Sequence, residues 1–304
     1  LHPRRCPCQY PTMSDPTHGT GIVFPHRHVP IDRPGAPRQS IPLELAAPLA
    51  LGQRGLVVAP PRCGATTVLR WLGGALAEAG VDVRVILVDR PVEEQLEWRE
   101  ELPHARVTGT TSDVDGPEDH LRLASVFDHA ATDAAAGQDV AVLVDSLGAL
   151  ARALAAVHDH SDGRVLDGGL PQTALAELRG WFSRARAADP AHPDAGTLTV
   201  LGTALVDTAQ ELDAVVLHEL VGTGNVEWRL DQDAMRAGLF PPLDVLASGA
   251  RRTELILGDD EADRRAHLRA EVDRHGTIAG LGLLVQQLDD LGSLDAVLDS
   301  VAPD

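Results

Sequence analysis

The chain has 304 residues, of which 44% are hydrophobic and 23% charged, a composition typical of a globular protein. Its net charge of −19 repels polyanions such as nucleic acids except where basic residues cluster. No apolar run approaches the roughly 20 residues that span a bilayer, which argues against a membrane protein. Three cysteines are too few for a disulfide framework or a structural zinc site.

The first 40 residues are rich in Pro, His, Gly and Arg and show no hydrophobic periodicity. This pattern predicts a disordered N-terminal arm at 1–40 ahead of one domain at 41–304. Arg4 and Arg5 are not followed by an apolar stretch, so no signal peptide is indicated and a cytoplasmic location is expected. Whether synthesis starts at Leu1 or Met13 stays open.

From residue 40 onward, apolar runs that predict strands alternate with amphipathic stretches that predict helices. The predicted strands are residues 55–59, 81–88, 105–107, 140–144, 197–204, 214–220 and 226–230. The predicted helices are 66–79, 93–101, 118–136, 146–157, 170–188, 261–274, 278–290 and 294–301. This alternation predicts an α/β fold with a mostly parallel central sheet flanked by helices, and a small helical C-terminal part.

The first candidate site follows the predicted strand at 55–59. A phosphate-binding loop reads Gly-x-x-x-x-Gly-Lys-Ser/Thr between a strand and a helix, because its backbone N–H groups and lysine hold the phosphates. In residues 59–66, Ala-Pro-Pro-Arg-Cys-Gly-Ala-Thr, Gly64 and Thr66 fit this pattern, but Ala65 occupies the lysine position. From the pattern alone, an ordinary strand–turn–helix is the better explanation.

The second candidate is Asp145, which directly follows the apolar run at 140–144. A carboxylate at the end of a buried strand is typical of a Walker B site, which holds Mg²⁺ directly or through water. Aspartate is also a good helix cap, and a helix is predicted to follow. Taken alone, Asp145 fits both interpretations about equally well.

Several segments together resemble the bacterial transcription terminator Rho. They are GQRGLVVAPP at 52–61, VDSL at 144–147 with LARA at 150–153, VLDGG at 165–169, TALVDT at 203–208, GTGNVE at 222–227, FPPLD at 240–244 and SGARRTEL at 248–255. The resemblance runs in one order from about residue 40 to the end. It implies a RecA-like P-loop NTPase core, which in Rho forms a hexameric ring that hydrolyses ATP between subunits and moves RNA through its centre.

The resemblance also implies roles for individual residues. ATP with Mg²⁺ would be held by Pro61, Arg62, Cys63, Gly64, Ala65, Thr66, Thr67 and Asp145, with Thr66 and Asp145 on the metal. Catalytic roles fall on Asp89, at or beside the position that activates water, on Arg90 near the γ-phosphate, and on Arg251, the arginine finger that reaches a neighbouring subunit. The RNA path would include Arg164, Gly168, Gly169 and Thr208.

The departures from the family concern the same sites. Ala65 lacks the cation that binds the β- and γ-phosphates, and the candidates to replace it are Arg62 and a residue of a partner. The segment at 203–208 resembles the R loop of Rho, which is part of the RNA path, and Glu211 stands at the position of a lysine of that loop. Residues 1–40 hold one Tyr and one Phe, which are too few for a base-stacking platform. The sequence therefore predicts weak RNA binding or none.

Two pairs of histidines, His26 with His28 and His158 with His160, have a spacing that could suggest a metal site. Neither pair has cysteines or carboxylates nearby at ligand spacing, so both are expected to be solvated surface residues.

Three functions are compatible with these residues. The first is a degenerate Rho paralogue that assembles as a homo-oligomer or with Rho and hydrolyses ATP slowly or not at all. The second is an active RNA-stimulated ATPase, since Asp145, Arg90 and Arg251 are kept. The third is a structural protein with an empty nucleotide pocket.

Overall fold

The computed structural model describes residues 23–110, 117–158, 164–189 and 194–301. These residues contain the strands β1 (Arg54–Ala59), β2 (Asp82–Leu87), β3 (Arg106–Gly109), β4 (Val140–Asp145), β5 (Leu198–Leu205), β6 (Val226–Leu230) and β7 (Leu243–Ala250). The strands form one sheet in the order β3-β2-β4-β5-β1-β6-β7. All neighbouring pairs are parallel except β6 and β7. The predicted α/β fold with a mostly parallel sheet is confirmed.

Helices cover both faces of the sheet. In the described residues they are α1 (Ile41–Ala46), α2 (Ala65–Glu78), α3 (Val92–Glu101), α4 (Pro117–Ala135), α5 (Leu147–Val157), α6 (Gln172–Phe182), α7 (Glu211–Val221), α8 (Gln232–Arg236), α9 (Thr253–Leu257), α10 (Asp259–Arg274), α11 (Thr277–Leu291) and α12 (Leu294–Val301). The last four form the predicted helical C-terminal part.

The core is split by the sheet into two apolar clusters. Val57 and Val85 face one cluster with α2 and α10 to α12, while Leu56 and Val142 face the other with α4 to α7. Successive strand residues point to opposite faces, so a strand that is buried on both faces reads as a continuous apolar run. This explains why the apolar runs of the sequence predicted most of the strands.

The predicted strand at 214–220 is wrong, because these residues belong to α7. Their β-branched run is typical of a strand, but Leu212, Val216 and Leu220 recur every four residues and pack on the sheet as one helical face. The predicted helix at 170–188 stops earlier, at Phe182, and Arg186 pairs instead with Leu198 of β5.

The prediction of a disordered arm is corrected for residues 23–40, while residues 1–22 lie outside the described ranges. Val29 and Ile31 are buried in the cluster around α2. The N–H of Val29 donates to the carbonyl of Leu49 at 2.8 Å, which fixes the segment against the domain. Two alternating apolar residues between prolines are too short a pattern to be recognised in the sequence.

A buried ion network joins this segment to the C-terminal helices. Glu44 is 2% exposed and accepts hydrogen bonds from His28 Nε2 at 2.7 Å, Arg265 Nη1 at 2.8 Å and the N–H of Ile31 at 2.7 Å. Burial raises the pKa of Glu44, but the hydrogen bond from His28 and the charges of His28 and Arg265 outweigh it. The pKa of Glu44 therefore lies below its ordinary value.

The expectation that the paired histidines are solvated is wrong for two of them. His28 is part of the Glu44 network, and His158 contacts Glu177 with its Nε2 at 2.7 Å. His26 contacts only the carbonyl of Phe24, and His160 lies outside the described residues. In the described part of the chain, no group of three His, Cys, Asp or Glu is arranged to bind a metal ion.

Within the described ranges, the helices are too short or too polar to cross a bilayer.

We expect Glu44→Gln to destabilise the protein by about 3–5 kcal/mol, because it leaves Arg265 charged and buried with one partner fewer. Urea unfolding at pH 7 measures this loss. The pKa of Glu44 is lower in the folded protein than in the unfolded protein, where it is about 4.5. The ionised carboxylate therefore stabilises the fold above pH 4.5, and this contribution is lost as the pH falls through the pKa of the folded protein. The difference between wild type and variant should shrink accordingly in acid.

The matched control is Asp233→Asn, which removes an exposed partner of Arg236 and should cost less than about 1 kcal/mol. Equal losses in the two variants would contradict a special role for the Glu44 network.

Candidate nucleotide-binding site

The loop between β1 and α2 has the backbone of a phosphate-binding loop. Arg62 and Gly64 adopt positive φ angles of 66° and 85°, and the N–H of Cys63 donates to the carbonyl of Pro60 at 3.3 Å. A Cβ on Gly64 would lie 2.7 Å from the ring of Phe240, so glycine is required here for space as well as for conformation. Pro61 and Arg62 are exposed at the tip of the loop.

The N-terminus of α2 is open to an anion. Gly64 caps the helix without a side-chain hydrogen bond, so the first N–H groups, those of Ala65, Thr66 and Thr67, have no intrahelical partner. N–H groups in this position and the helix dipole together favour phosphate. Ala65 points a methyl group, 9% exposed, where a lysine would supply an ammonium group.

Asp145 lies at the centre of the site and is fully buried at the end of β4. Its Oδ2 accepts a hydrogen bond from Thr66 Oγ1 at 2.7 Å. Its Oδ1 accepts one from Arg90 Nη2 and one from Thr203 Oγ1, both at 2.7 Å. Thr66 and Asp145, which the resemblance to Rho assigns to one metal ion, lie in contact in the structure. Carboxylate and hydroxyl oxygens are ligands that suit Mg²⁺, so the pair fits that ion.

Arg90 and Asp89 follow β2, the neighbour of β4, and lie at the same edge of the sheet. Arg90 is 25% exposed and bridges Asp145 to Glu94, whose Oε2 is 3.6 Å from Arg90 Nη1. Asp89 has a positive φ of 56° and is exposed, and its N–H donates to Thr110 Oγ1 at 3.3 Å. Arg90 is thus held inside the site, whereas the carboxylate of Asp89 is at its rim.

Cys63 lies beneath the loop and is 2% exposed. Burial raises the pKa of its thiol, the charge of Asp231 raises it further, and Arg236 acts in the opposite direction. The thiol is therefore neutral at physiological pH and contributes packing rather than a charge to the loop.

Arg251 lies at the opposite end of the sheet. Val226 of β6 pairs with Gly55 near the start of β1 and also with Ala250 of β7, so Arg251 is beside the beginning of β1. The loop follows the end of the same strand, whose six residues span about 20 Å. Arg251 is exposed and belongs to a different surface from the nucleotide loop of its own protomer.

Two of the predicted RNA-path residues, Gly168 and Thr208, lie near the start of α7. A side chain on Gly168 would collide with the backbone of Leu212, so the segment at 165–169 packs against this helix. Thr208 Oγ1 donates to Asp213 Oδ2 at 2.9 Å, while Gly169 and Arg164 are exposed. The structure therefore brings the segments at 165–169 and 203–208 together at the start of α7.

Charges at this end of α7 do not favour a polyanion. Glu211 is the exposed first residue of the helix, a position in which the helix dipole stabilises a carboxylate. Arg152 is occupied by Gln210 Oε1 at 2.8 Å and by Asp213 Oδ1 at 3.4 Å.

Two residues of the candidate nucleotide site were not predicted from the sequence. Thr203 donates to Asp145, and its polar side chain inside the apolar strand β5 was a usable signal. Phe240 packs on Gly64 and forms an edge-to-face pair with Trp71 at 5.6 Å between centroids. Nothing local in the sequence relates Phe240 to a loop that is so distant in the chain.

Comparison with known proteins agrees with this geometry. The profile of the ATP synthase alpha/beta family, nucleotide-binding domain, matches residues 42–250. The transcription termination factor Rho of Streptosporangium roseum is 38% identical over 263 residues, which cover 85% of this chain and 67% of that protein. The chain belongs to the Rho family.

Other Rho proteins match over a smaller part of their length. The Rhodopirellula baltica protein is 34% identical, over 86% of this chain and 51% of that protein. The Streptomyces lividans protein is 39% identical, over 72% of this chain and 30% of that protein. This Rho-family chain thus spans between about a third and a half of these relatives. Among solved structures, an ATPase from the type III secretion system of pathogenic bacteria matches with a TM-score of 0.66 at 19% identity, over 78% of this chain and 68% of that one. At this identity the match supports the RecA-like fold alone.

We expect Asp145→Asn in this Rho-family chain to remove most of the Mg²⁺ dependence of ATP binding, because the amide keeps the size of the side chain but not the charge that holds the ion. The loss should be about tenfold or more in the ratio of the affinities with and without Mg²⁺. Titration of a fluorescent ATP analogue in MgCl₂ and in EDTA measures this ratio.

Asp207→Asn is the control, since Asp207 is an exposed carboxylate just after the neighbouring strand β5. A ratio that is unchanged in Asp145→Asn would show that Asp145 is not the metal-binding carboxylate.

Proposed function

We propose that this chain is a Rho-like nucleotide-binding protein, related to ATP-dependent RNA translocation and transcription termination, whose ATP hydrolysis is impaired or lost. It would then act as a binding or regulatory paralogue. The observation that carries this proposal is Ala65 at the N-terminus of α2, where no cation faces the open N–H groups of the loop.

The missing cation affects binding and catalysis differently. A hydrogen bond to a charged group contributes about 1.5–3 kcal/mol, so nucleotide affinity should fall about tenfold or more. Hydrolysis should suffer more, because negative charge on the phosphate oxygens increases in the transition state. Nucleotide binding can therefore persist at a site that no longer catalyses efficiently.

Arg62 is a poor replacement for the lysine. The loop aims its backbone N–H groups inward, and Arg62 is exposed at its tip with no hydrogen bond or ion pair to the described residues. Arg90 is closer to the site, but its guanidinium is paired with Asp145 and Glu94. If Arg90 moved to a phosphate, the buried carboxylate of Asp145 would lose its positively charged partner unless Mg²⁺ took the place of Arg90.

The second candidate function is an active RNA-stimulated ATPase. The contacts of Thr66 and Arg90 with Asp145, together with the exposed Arg251, favour it, because they are the parts that hold Mg²⁺ and complete a site between subunits. A structural protein with an empty pocket is the remaining alternative, and absence of any ATP binding would support it.

The position of Arg251 supports assembly. An arginine finger on the side of the sheet opposite the nucleotide loop can act only on another protomer, which supports head-to-tail assembly. The assembly would be a homo-oligomer, a hexameric ring by resemblance, or a mixed assembly with Rho. We place the protein in the cytoplasm by analogy with this role. RNA would bind weakly or not at all, since Glu211 and the paired Arg152 leave little free positive charge near Gly168 and Thr208.

We expect the purified protein to release phosphate from ATP only slowly, with or without poly(C) RNA, and Ala65→Lys to raise the rate about tenfold or more. The lysine restores a cation at the β- and γ-phosphates without changing the rest of the loop. Steady-state phosphate release in MgCl₂ measures both rates.

Ala65→Met is the matched control, because its side chain is long but uncharged and should leave the rate low. Brisk, RNA-dependent turnover of the unmodified protein would overturn the proposed function and favour the active ATPase. A thermal shift with ATP and Mg²⁺ separates a binding protein from an empty scaffold, since a ligand at 100 times its Kd adds about 2.7 kcal/mol.

We expect Glu211→Lys to strengthen poly(C) RNA binding about tenfold at low salt, because it replaces a repelled carboxylate with a cation at the predicted RNA path. Fluorescence anisotropy of labelled RNA at two salt concentrations measures the change and its salt dependence. Glu254→Lys makes the same change of net charge far from the start of α7, and an equal gain in that variant would contradict a local RNA path.

A further inference from the structure

Arg90 takes up the place beside Asp145 that a metal ion would need. Its Nη2 donates to Asp145 Oδ1 at 2.7 Å, and Thr203 Oγ1 donates to the same oxygen at 2.7 Å. Asp145 Oδ2 accepts from Thr66 Oγ1 at 2.7 Å, so both carboxylate oxygens have donors. Asp145 is fully buried, and among the described residues Arg90 is its one cationic partner. The chain itself thus supplies the counter-ion of this carboxylate.

Glu94 offers a second carboxylate to the same guanidinium. It lies four residues after Arg90, in the first turn of α3, and its Oε2 is 3.6 Å from Arg90 Nη1. This oxygen is buried and has no hydrogen-bond partner among the described residues. A charge-assisted hydrogen bond between a guanidinium and a carboxylate is about 2.7–2.9 Å long, so the two groups form an ion pair without a hydrogen bond. A shift of Arg90 by about 0.8 Å would complete the bond.

Burial explains why Arg90 donates its hydrogen bond to Asp145 rather than to Glu94. Asp145 is fully buried, whereas the side chain of Glu94 is 32% exposed. A charge that is excluded from water needs a partner more than one that water still reaches. The position of Arg90 therefore depends on the charge of Asp145, and a cation that neutralised Asp145 would remove the reason for it.

Mg²⁺ without nucleotide is a weak competitor of Arg90 at Asp145. This ion loses its water reluctantly, and proteins usually hold it through one or two carboxylates together with phosphates of a substrate. Thr66 and Asp145 provide only part of such a ligand set. Two cations beside one carboxylate also repel each other, which disfavours metal binding as long as Arg90 stays in place. The phosphate oxygens of a nucleotide would supply the missing ligands.

We propose that Arg90 keeps divalent cations off Asp145 until a nucleotide binds, and that Glu94 is the positioning residue that receives Arg90 when Mg²⁺ takes its place. Mg²⁺ and nucleotide then bind as a pair, because the ion needs phosphate oxygens to outweigh the contact of Arg90 with Asp145. Each raises the affinity of the other by the same factor, as thermodynamic linkage requires. The exchange rests on the proposed function, since it requires a nucleotide at the loop.

Mn²⁺ is a suitable probe, because it takes the same oxygen ligands as Mg²⁺ and is measured by electron paramagnetic resonance. Without nucleotide, the full chain should bind Mn²⁺ weakly. Arg90→Ala should bind it about tenfold more tightly, because the ion no longer displaces a charge-assisted hydrogen bond. Arg184→Ala is the matched control, since it also removes an arginine from a carboxylate, the exposed Asp128. Its Mn²⁺ affinity should equal that of the unmodified protein.

Glu94→Gln tests the second position of Arg90 and leaves the buried ion pair of Asp145 intact. With a non-hydrolysable ATP analogue present, this variant should bind Mn²⁺ about tenfold less tightly, because the amide lacks the charge that receives Arg90. Its affinity for the analogue in EDTA should not change, whereas a merely structural role of Glu94 would affect both titrations alike. Glu93→Gln removes an exposed carboxylate one residue earlier and should behave like the unmodified protein.

Two results would overturn the proposal. One is Mn²⁺ binding to the unmodified protein that is as tight without the analogue as with it, or no tighter in Arg90→Ala than in Arg184→Ala. The other is an equal Mn²⁺ affinity of Glu94→Gln and Glu93→Gln, which decides the question if Arg90→Ala does not fold. Rapid ATP turnover would overturn the proposed function but would leave these titrations unaffected, because they contain no ATP that can be hydrolysed. The two failures are therefore distinguishable.

Discussion

The buried carboxylate of Asp145 is the point on which the nucleotide site depends. It is the common acceptor for three side chains that come from α2, from the segment after β2 and from β5. A fully buried charge is costly unless it is paired and hydrogen-bonded, so these contacts stabilise the ends of three parallel strands at one place. A metal ion that binds Asp145 must replace the ion pair with Arg90, because Arg90 already neutralises the carboxylate.

The absence of lysine gives the molecule an unusual distribution of positive charge. Every side chain that is permanently positive is a guanidinium, which is larger than an ammonium group and forms hydrogen bonds in one plane. Within the nucleotide site, Arg90 is held by carboxylates, whereas the position nearest the phosphates is Ala65. Arg54 and Arg251 lie at the far end of β1, and neither has a carboxylate partner among the described residues.

The positions of the two ends of β1 support the proposed assembly. The strand delivers the nucleotide loop at one end, and through its pairing with β6 it positions Arg251 at the other. The chain therefore has the open N-terminus of α2 on one surface and exposed arginines on another. Two surfaces that lie apart on one copy can meet only between copies, which supports the head-to-tail assembly proposed above.

The sequence by itself determined the alternation of strands and helices and the positions of Gly64, Thr66 and Asp145 after strands, because hydrophobic periodicity and strand ends are local features. It did not determine that residues 214–220 form a helix, since a β-branched run is compatible with both structures until a sheet is present to pack against. Tertiary structure alone decided that Thr203 and Phe240 join the site, that residues 23–40 pack on the domain, and that Arg251 lies at the opposite edge. Each of these depends on partners that are far away in the chain, and local sequence carries no record of such contacts.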